Sequence, residues 1–138
     1  MIGIVIVAHG GLAGEYLSAM EHVVGKRPGT ISVAVGPDDN AETKQDEIDD
    51  AVAAVDDGDG VIIVTDMFGG TPSNLAVCAC NTSRHRVLYG VNMPLLIKLA
   101  KTRHLSLDEA VASALTTGRK YINSLAGFDA RAVSGAKT

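Results

Sequence analysis

The chain has 138 residues, 46% of them hydrophobic and 20% charged, which suits one soluble domain large enough to bury a core. Its net charge of −4 gives a nucleic-acid partner no electrostatic support. No apolar stretch approaches the roughly 20 residues that span a bilayer, so membrane insertion is not expected.

Residues 2–8, Ile2-Gly3-Ile4-Val5-Ile6-Val7-Ala8, form a nearly continuous β-branched run of the kind buried in parallel sheets. The run starts at once, with no basic segment before an apolar one, so a signal peptide is not expected. It breaks into His9-Gly10-Gly11. A helix is predicted from about Gly11 to Gly25, with Leu12, Tyr16, Leu17, Met20, Val23 and Val24 at helical spacing. Gly25 stops it and Pro28-Gly29 turns the chain.

Thr30 to Val35 reads as the second strand, closed by Gly36-Pro37. Asn40 is a good N-cap for a second helix with Ile48, Val52 and Val55 inward. The third strand covers Gly60 to Thr65 and breaks into Asp66-Met67-Phe68-Gly69-Gly70-Thr71-Pro72, where a third helix begins with proline in its first turn. Cys78 and Cys80 fall in that helix and point to different sides, which favours neither a disulfide nor a metal pair. Both read as small packing residues in a reducing, cytoplasmic compartment.

Arg86 to Val91 is the fourth strand and leads through Asn92-Met93-Pro94 into a short apolar helix. Ser106-Leu107-Asp108-Glu109 is a capping box that opens a last helix to about Ile122, with Leu107, Val111, Leu115 and Ile122 inward. This order predicts an α/β fold: an open, mainly parallel β-sheet of four parallel strands, an antiparallel edge strand being optional, with helices on both faces. There is no internal repeat or interdomain linker. Residues 1–125 read as one domain, and 126–138 as a tail that frays or packs on another subunit.

If the first and third strands are neighbours, His9 and Asp66 meet at the carboxyl edge of the sheet, where open α/β folds bind ligands. Gly10-Gly11 lets main-chain N–H groups approach an anion beside a helix start. Gly69-Gly70 permits a tight turn at another helix start, and the Thr71 hydroxyl could bond a phosphoryl oxygen. The candidate site is therefore His9 and Asp66 as reacting groups, with Gly10, Gly11, Gly70 and Thr71 binding phosphate. A neutral imidazole can attack phosphorus with one nitrogen while a carboxylate holds the other N–H and steadies the developing positive charge.

No metal is called for, because zinc at His9 would need two further ligands nearby, and no cofactor is expected. Asp56-Asp57-Gly58-Asp59-Gly60 fails as a calcium loop because a strand follows it. The acidic residues from Asp46 to Asp59 read as a solvated helix face and turn. His22 reads as a mid-helix residue on the polar side, His85 as part of the polar connection Ser83–Arg86, and His104 as lying near a helix C-terminus. A receiver domain would carry an acidic cluster after its first strand, and neither a P-loop nor a Gly-x-Gly-x-x-Gly turn is present.

Three segments carry a family resemblance. Ile4 to Ala13, Thr65 to Asn74 and Gly90 to Leu96 resemble the mannose-family IIA component of the phosphoenolpyruvate:sugar phosphotransferase system, in register over about residues 1–125. The resemblance implies that His9 accepts a phosphoryl group on Nε2 from the phosphocarrier HPr and passes it to a IIB component. It implies that Asp66 orients His9, that Thr71 lies beside the phosphoryl group, and that the protein is a homodimer, in some members completed by a swapped C-terminal strand. No Ala/Pro-rich linker or fused IIB domain follows Ile122. The expected acceptor is therefore a separate IIB subunit, or else a target protein regulated by the phosphorylation state of His9.

Overall fold

A computed structural model describes residues 1–127. Its elements run β1 (Gly3–His9), α1 (Leu12–Val24), β2 (Thr30–Val35), α2 (Ala41–Val55), β3 (Val61–Thr65), α3 (Thr71–Ala79), β4 (His85–Tyr89), α4 (Met93–Lys101) and α5 (Leu107–Lys120). The four strands are all parallel, in the order β2-β1-β3-β4. The tail from residue 128 on, its packing on another subunit and the optional edge strand lie outside the described residues.

The order explains the layering. The chain steps outward from β1 to β2, returns across β1 to β3, and continues to β4. Right-handed crossovers then put helices on opposite faces when the direction reverses. Ile4, Ile6, Ile62 and Val64 pack against Met20 of α1, Leu95, Leu96 and Leu99 of α4, and Ala110 and Ala114 of α5. The alternate residues Val5, Val7, Val61 and Ile63 pack against Ile48, Val52 and Val55 of α2 and Leu75 and Ala76 of α3. Both faces of β1 and β3 are thus buried, which is why these strands read as unbroken apolar runs.

Two predicted caps form. The Asn40 Oδ1 accepts from Thr43 N–H at 3.0 Å, and the Ser106 Oγ accepts from Glu109 N–H at 3.3 Å. The Ser106 hydroxyl also donates to the Glu109 carboxylate at 3.1 Å. Asn92 caps α4, accepting from Leu95 N–H at 3.0 Å, while its amide donates to the Gly118 carbonyl of α5 at 3.0 Å. At the opposite edge from His9, buried Arg103 donates to the carbonyls of Ile2 and Pro28 at 2.6 and 2.8 Å, tying the α4–α5 turn to the starts of β1 and β2.

Several expected burials are corrected. Helix α5 ends at Lys120, and Ile122 is 72% exposed rather than inward, while Leu107, Val111 and Leu115 do pack on the core. In α1, Leu12 and Val23 are exposed, while Tyr16, Leu17 and Val24 pack partly on the core beside the buried Ala13 and Met20. His85 is not in a polar connection: it opens β4, is buried, and its Nδ1 has no hydrogen-bond partner among the described residues. Cys80 packs partly against the α2–α3 cluster, but Cys78 is exposed.

Candidate functional site

Strands β1 and β3 pair directly, in a register that ends with Val7 opposite Thr65. The next residues, Ala8-His9 and Asp66, therefore leave adjacent strands at the same carboxyl edge. This edge is also the point where strand order reverses, because the chain after β1 turns toward β2 and the chain after β3 turns toward β4.

The two side chains are in contact. Asp66 Oδ2 lies 2.8 Å from His9 Nδ1 and also accepts from the His9 backbone N–H at 3.1 Å. Asp66 Oδ1 accepts from Met67 N–H at 3.0 Å and from the Thr65 hydroxyl at 3.3 Å. Both carboxylate oxygens are thus fixed, and the imidazole is fixed through them. Partial burial pushes the Asp66 carboxyl up. The hydrogen bonds from the His9 ring and backbone, with the bond from Met67, outweigh that and hold it below its ordinary range. An ionised Asp66 only accepts, so Nδ1 is the donor of this contact, and in the neutral ring the lone pair lies on Nε2.

Nε2 faces the glycine turn before α3. A Cβ built on Gly70 would lie 3.1 Å from His9 Nε2 and 3.0 Å from Cε1, so the bare backbone at Gly70 is what leaves room for the ring. Gly70 is the N-cap of α3 and supplies no side-chain cap. The Thr71 and Ser73 N–H groups, at the first and third helical positions, make no hydrogen bond among the described residues and carry the positive end of the helix. The hydroxyl of Ser73, buried in the helix, accepts from Gly69 N–H at 2.9 Å and donates to the Gly70 carbonyl at 2.9 Å.

On the other side of His9 the expected glycines differ in role. Gly10 turns the chain at φ +54, and its N–H donates to the Val35 carbonyl at 2.9 Å, so it contributes shape rather than a donor. Gly11 is the N-cap of α1, and its N–H has no partner among the described residues. An open cavity of about 340 Å³ lies over this edge, lined by His9, Gly10, Pro37, Asp39, Thr71 and Pro72 among others.

All six residues expected at the site lie at this edge. Sequence reasoning missed Thr65, Ser73 and Asp39. Thr65 is buried, Ser73 looks like an ordinary first-turn residue, and the Asp39 carboxylate accepts from Gly36 N–H at 2.6 Å, which shapes the cavity rim. Exposed Phe68 and Tyr89 flank the site with ring centroids 5.0 Å apart. Exposed His22 and His104 have no comparable setting. Among the described residues no group of three or more His, Cys, Asp or Glu side chains is placed to hold a metal ion, and no helix is long and apolar enough to cross a membrane.

Residues 3–115 match the EIIA-man family, described as the fructose IIA component of the PTS system. The chain is 33% identical over 127 residues to the mannose-specific EIIAB component of the PTS system of Escherichia coli (strain K12), covering 90% of this chain and 39% of that protein. It is 33% identical over 111 residues to the sorbose-specific EIIA component of Klebsiella pneumoniae, covering 79% of this chain and 81% of that protein. The crystal structure of a phosphotransferase system component EIIA from Streptococcus agalactiae has the same fold, with a TM-score of 0.80 at 24% identity over 90% of this chain and 97% of that one. The chain thus spans well under half the length of the E. coli relative.

Proposed function

The chain belongs to the EIIA-man family of PTS IIA components, and from that premise we propose that it is a phosphohistidine carrier. It takes a phosphoryl group from phospho-HPr onto His9 and passes it to a IIB component. The observation that carries the reading is the 2.8 Å contact of His9 Nδ1 with Asp66, which leaves Nε2 free toward the start of α3.

The step follows from that geometry. The Nε2 lone pair attacks phosphorus, and the bond from phosphorus to the donor's imidazole nitrogen breaks, its electron pair returning to the donor ring. His9 Nδ1–H stays bonded to the Asp66 carboxylate, which stabilises the positive charge on the phosphorylated ring. The non-bridging phosphoryl oxygens meet the first N–H groups of α3 and the Thr71 hydroxyl. Transfer onward reverses the same step, so the site needs no other reacting group. Two such subunits pairing as a homodimer, and a cytoplasmic setting, are what the family likeness implies. No observation favours the regulatory reading over the carrier.

The relay itself tests this. Protein incubated with phosphoenolpyruvate, enzyme I and HPr is expected to gain acid-labile phosphate and to lose it when a IIB component is added. Phosphate that forms only without HPr, or never leaves to IIB, would count against the reading. The turn gives a second expectation. Gly70 has φ −98, so alanine fits the backbone and only the His9 ring is crowded. Gly70→Ala is expected to keep or slightly raise thermal stability, by about 0.4–1 kcal/mol at most, while slowing transfer about 10-fold or more. Stopped-flow phosphorylation beside a melting curve checks both.

A further inference from the structure

Helix α3 begins without the side chain that caps most helices. Ser, Thr, Asp and Asn are preferred at an N-cap because their oxygen accepts from a first-turn N–H. Here the N-cap is Gly70, and any Cβ at that position would press on the His9 ring at 3.0 Å from Cε1 and 3.1 Å from Nε2. A conventional cap at this position would make the His9 ring yield by a few tenths of an ångström.

The hydroxyl arrives from inside the helix instead. Ser73, 1% exposed, accepts from Gly69 N–H and donates to the Gly70 carbonyl, each at 2.9 Å. The same Gly70 carbonyl accepts from Asn74 N–H at 3.0 Å, so loop and first helical turn are joined at one oxygen. Gly69 stands at φ +99, and glycine is the residue with the most backbone freedom to lose. Freed of the Ser73 bond, Gly69 and Gly70 would sample other orientations.

We propose that Ser73 is a positioning residue for phosphoryl transfer at His9. Its hydroxyl holds the Gly69-Gly70-Thr71 turn so that the main-chain donors at the start of α3 stay aimed at a group on Nε2. The proposal rests on the carrier reading of His9. Ser73 does not touch phosphorus: it acts through Gly69 and Gly70. Fixed donors stabilise developing charge without reorganising at the moment of reaction, and that advantage is lost when the donors wander. At 1% exposure the Ser73 hydroxyl offers no surface to a partner protein, so partner binding is expected not to depend on it.

The test compares Ser73→Thr with Ser73→Val, which are equal in size and differ in the hydroxyl, and adds Ser73→Ala as the variant with no crowding. Steady-state transfer from phospho-HPr is followed in all, with site mapping of the phosphate. Ala and Val are expected to lower kcat about 10-fold, with KM for phospho-HPr unchanged and faster hydrogen exchange at Gly69 N–H. Thr is expected to restore most of kcat. Equal kcat in Thr and Val, or in Ala and wild type, overturns the proposal, as does a loss confined to KM. If wild type and Ala phosphorylate His9 alike, only the role of Ser73 fails. If wild type carries no phosphate on His9, the carrier reading fails with it.

Discussion

His9→Ala protein is expected to take up no acid-labile phosphate from phospho-HPr, a fall of more than about 10³-fold against wild type, because the nucleophile itself is gone. The substitution is expected to leave the fold intact. The His9 side chain is 47% exposed and packs in neither core cluster, so stability should change by only about 1 kcal/mol. A melting curve beside the labelling assay separates lost chemistry from lost structure. His22 and His104 are both exposed, and label persisting on either in the variant would move the site away from β1. A partial loss would be as informative, because it would mean that a second group shares the phosphate.

Asp66→Asn should have the next largest effect. The amide is nearly the size of the carboxylate and its oxygen can still accept from the His9 backbone N–H and from Nδ1–H. What it lacks is the negative charge opposite the imidazolium that forms as phosphorus bonds to Nε2, and its NH2, standing where Oδ1 stood, cannot accept from Met67 N–H. Transfer is expected to slow about 10–100-fold, in kcat rather than in KM for phospho-HPr. A kcat within about two-fold of wild type would show that geometry alone suffices and that the charge does nothing.

The same variant has a signature in acid. The folded-state carboxyl of Asp66 is held below its ordinary range, so it contributes stability that is fully present above the unfolded-state value, about 3.9. That contribution fades as pH falls through the depressed folded value. The stability difference between wild type and Asp66→Asn should therefore be largest near neutral pH and shrink below about pH 4. Denaturant melts at pH 7 and pH 3 would show it, and a difference that grows in acid would contradict the sign.

The site was legible because its two halves lie at the ends of strands buried on both faces. Val5, Ile6, Val7 and Ile62, Ile63, Val64 leave no polar residue to blur where β1 and β3 stop, so His9 and Asp66 announce themselves as the first groups past the core. In the sequence the pairing of the two strands is only a condition, and the order β2-β1-β3-β4 supplies it. The burial of the helices was less legible. Helical spacing in α1 nominates Leu12 and Val23, yet it cannot tell how wide a stripe the sheet covers, and the covered stripe is centred on Ala13 and Met20. Ile122 is exposed for a related reason, since α5 stops at Lys120 and the apolar spacing continues past the last turn.

The turn before α3 was legible in composition and illegible in detail. Two glycines and a proline mark a tight helix start, but nothing in the string Gly69-Gly70-Thr71-Pro72-Ser73 says which hydroxyl turns inward. That choice depends on Gly69 at φ +99 and on the His9 ring beside Gly70, which come from different parts of the chain. His85 shows the converse. Flanked by Arg84 and Arg86 it looks solvated, yet the parallel register that pairs it with Val61 draws it under the edge of the core.

One measurement bears most directly on the central claim, that Asp66 occupies one ring nitrogen of His9 and leaves the other to carry phosphorus. It is heteronuclear NMR of the phosphorylated protein with ¹⁵N-labelled histidine. Phosphorus coupled to Nε2 of His9, with Nδ1 still protonated, is the predicted spectrum. Phosphorus on Nδ1, on any other histidine, or on the Asp66 carboxylate would contradict it.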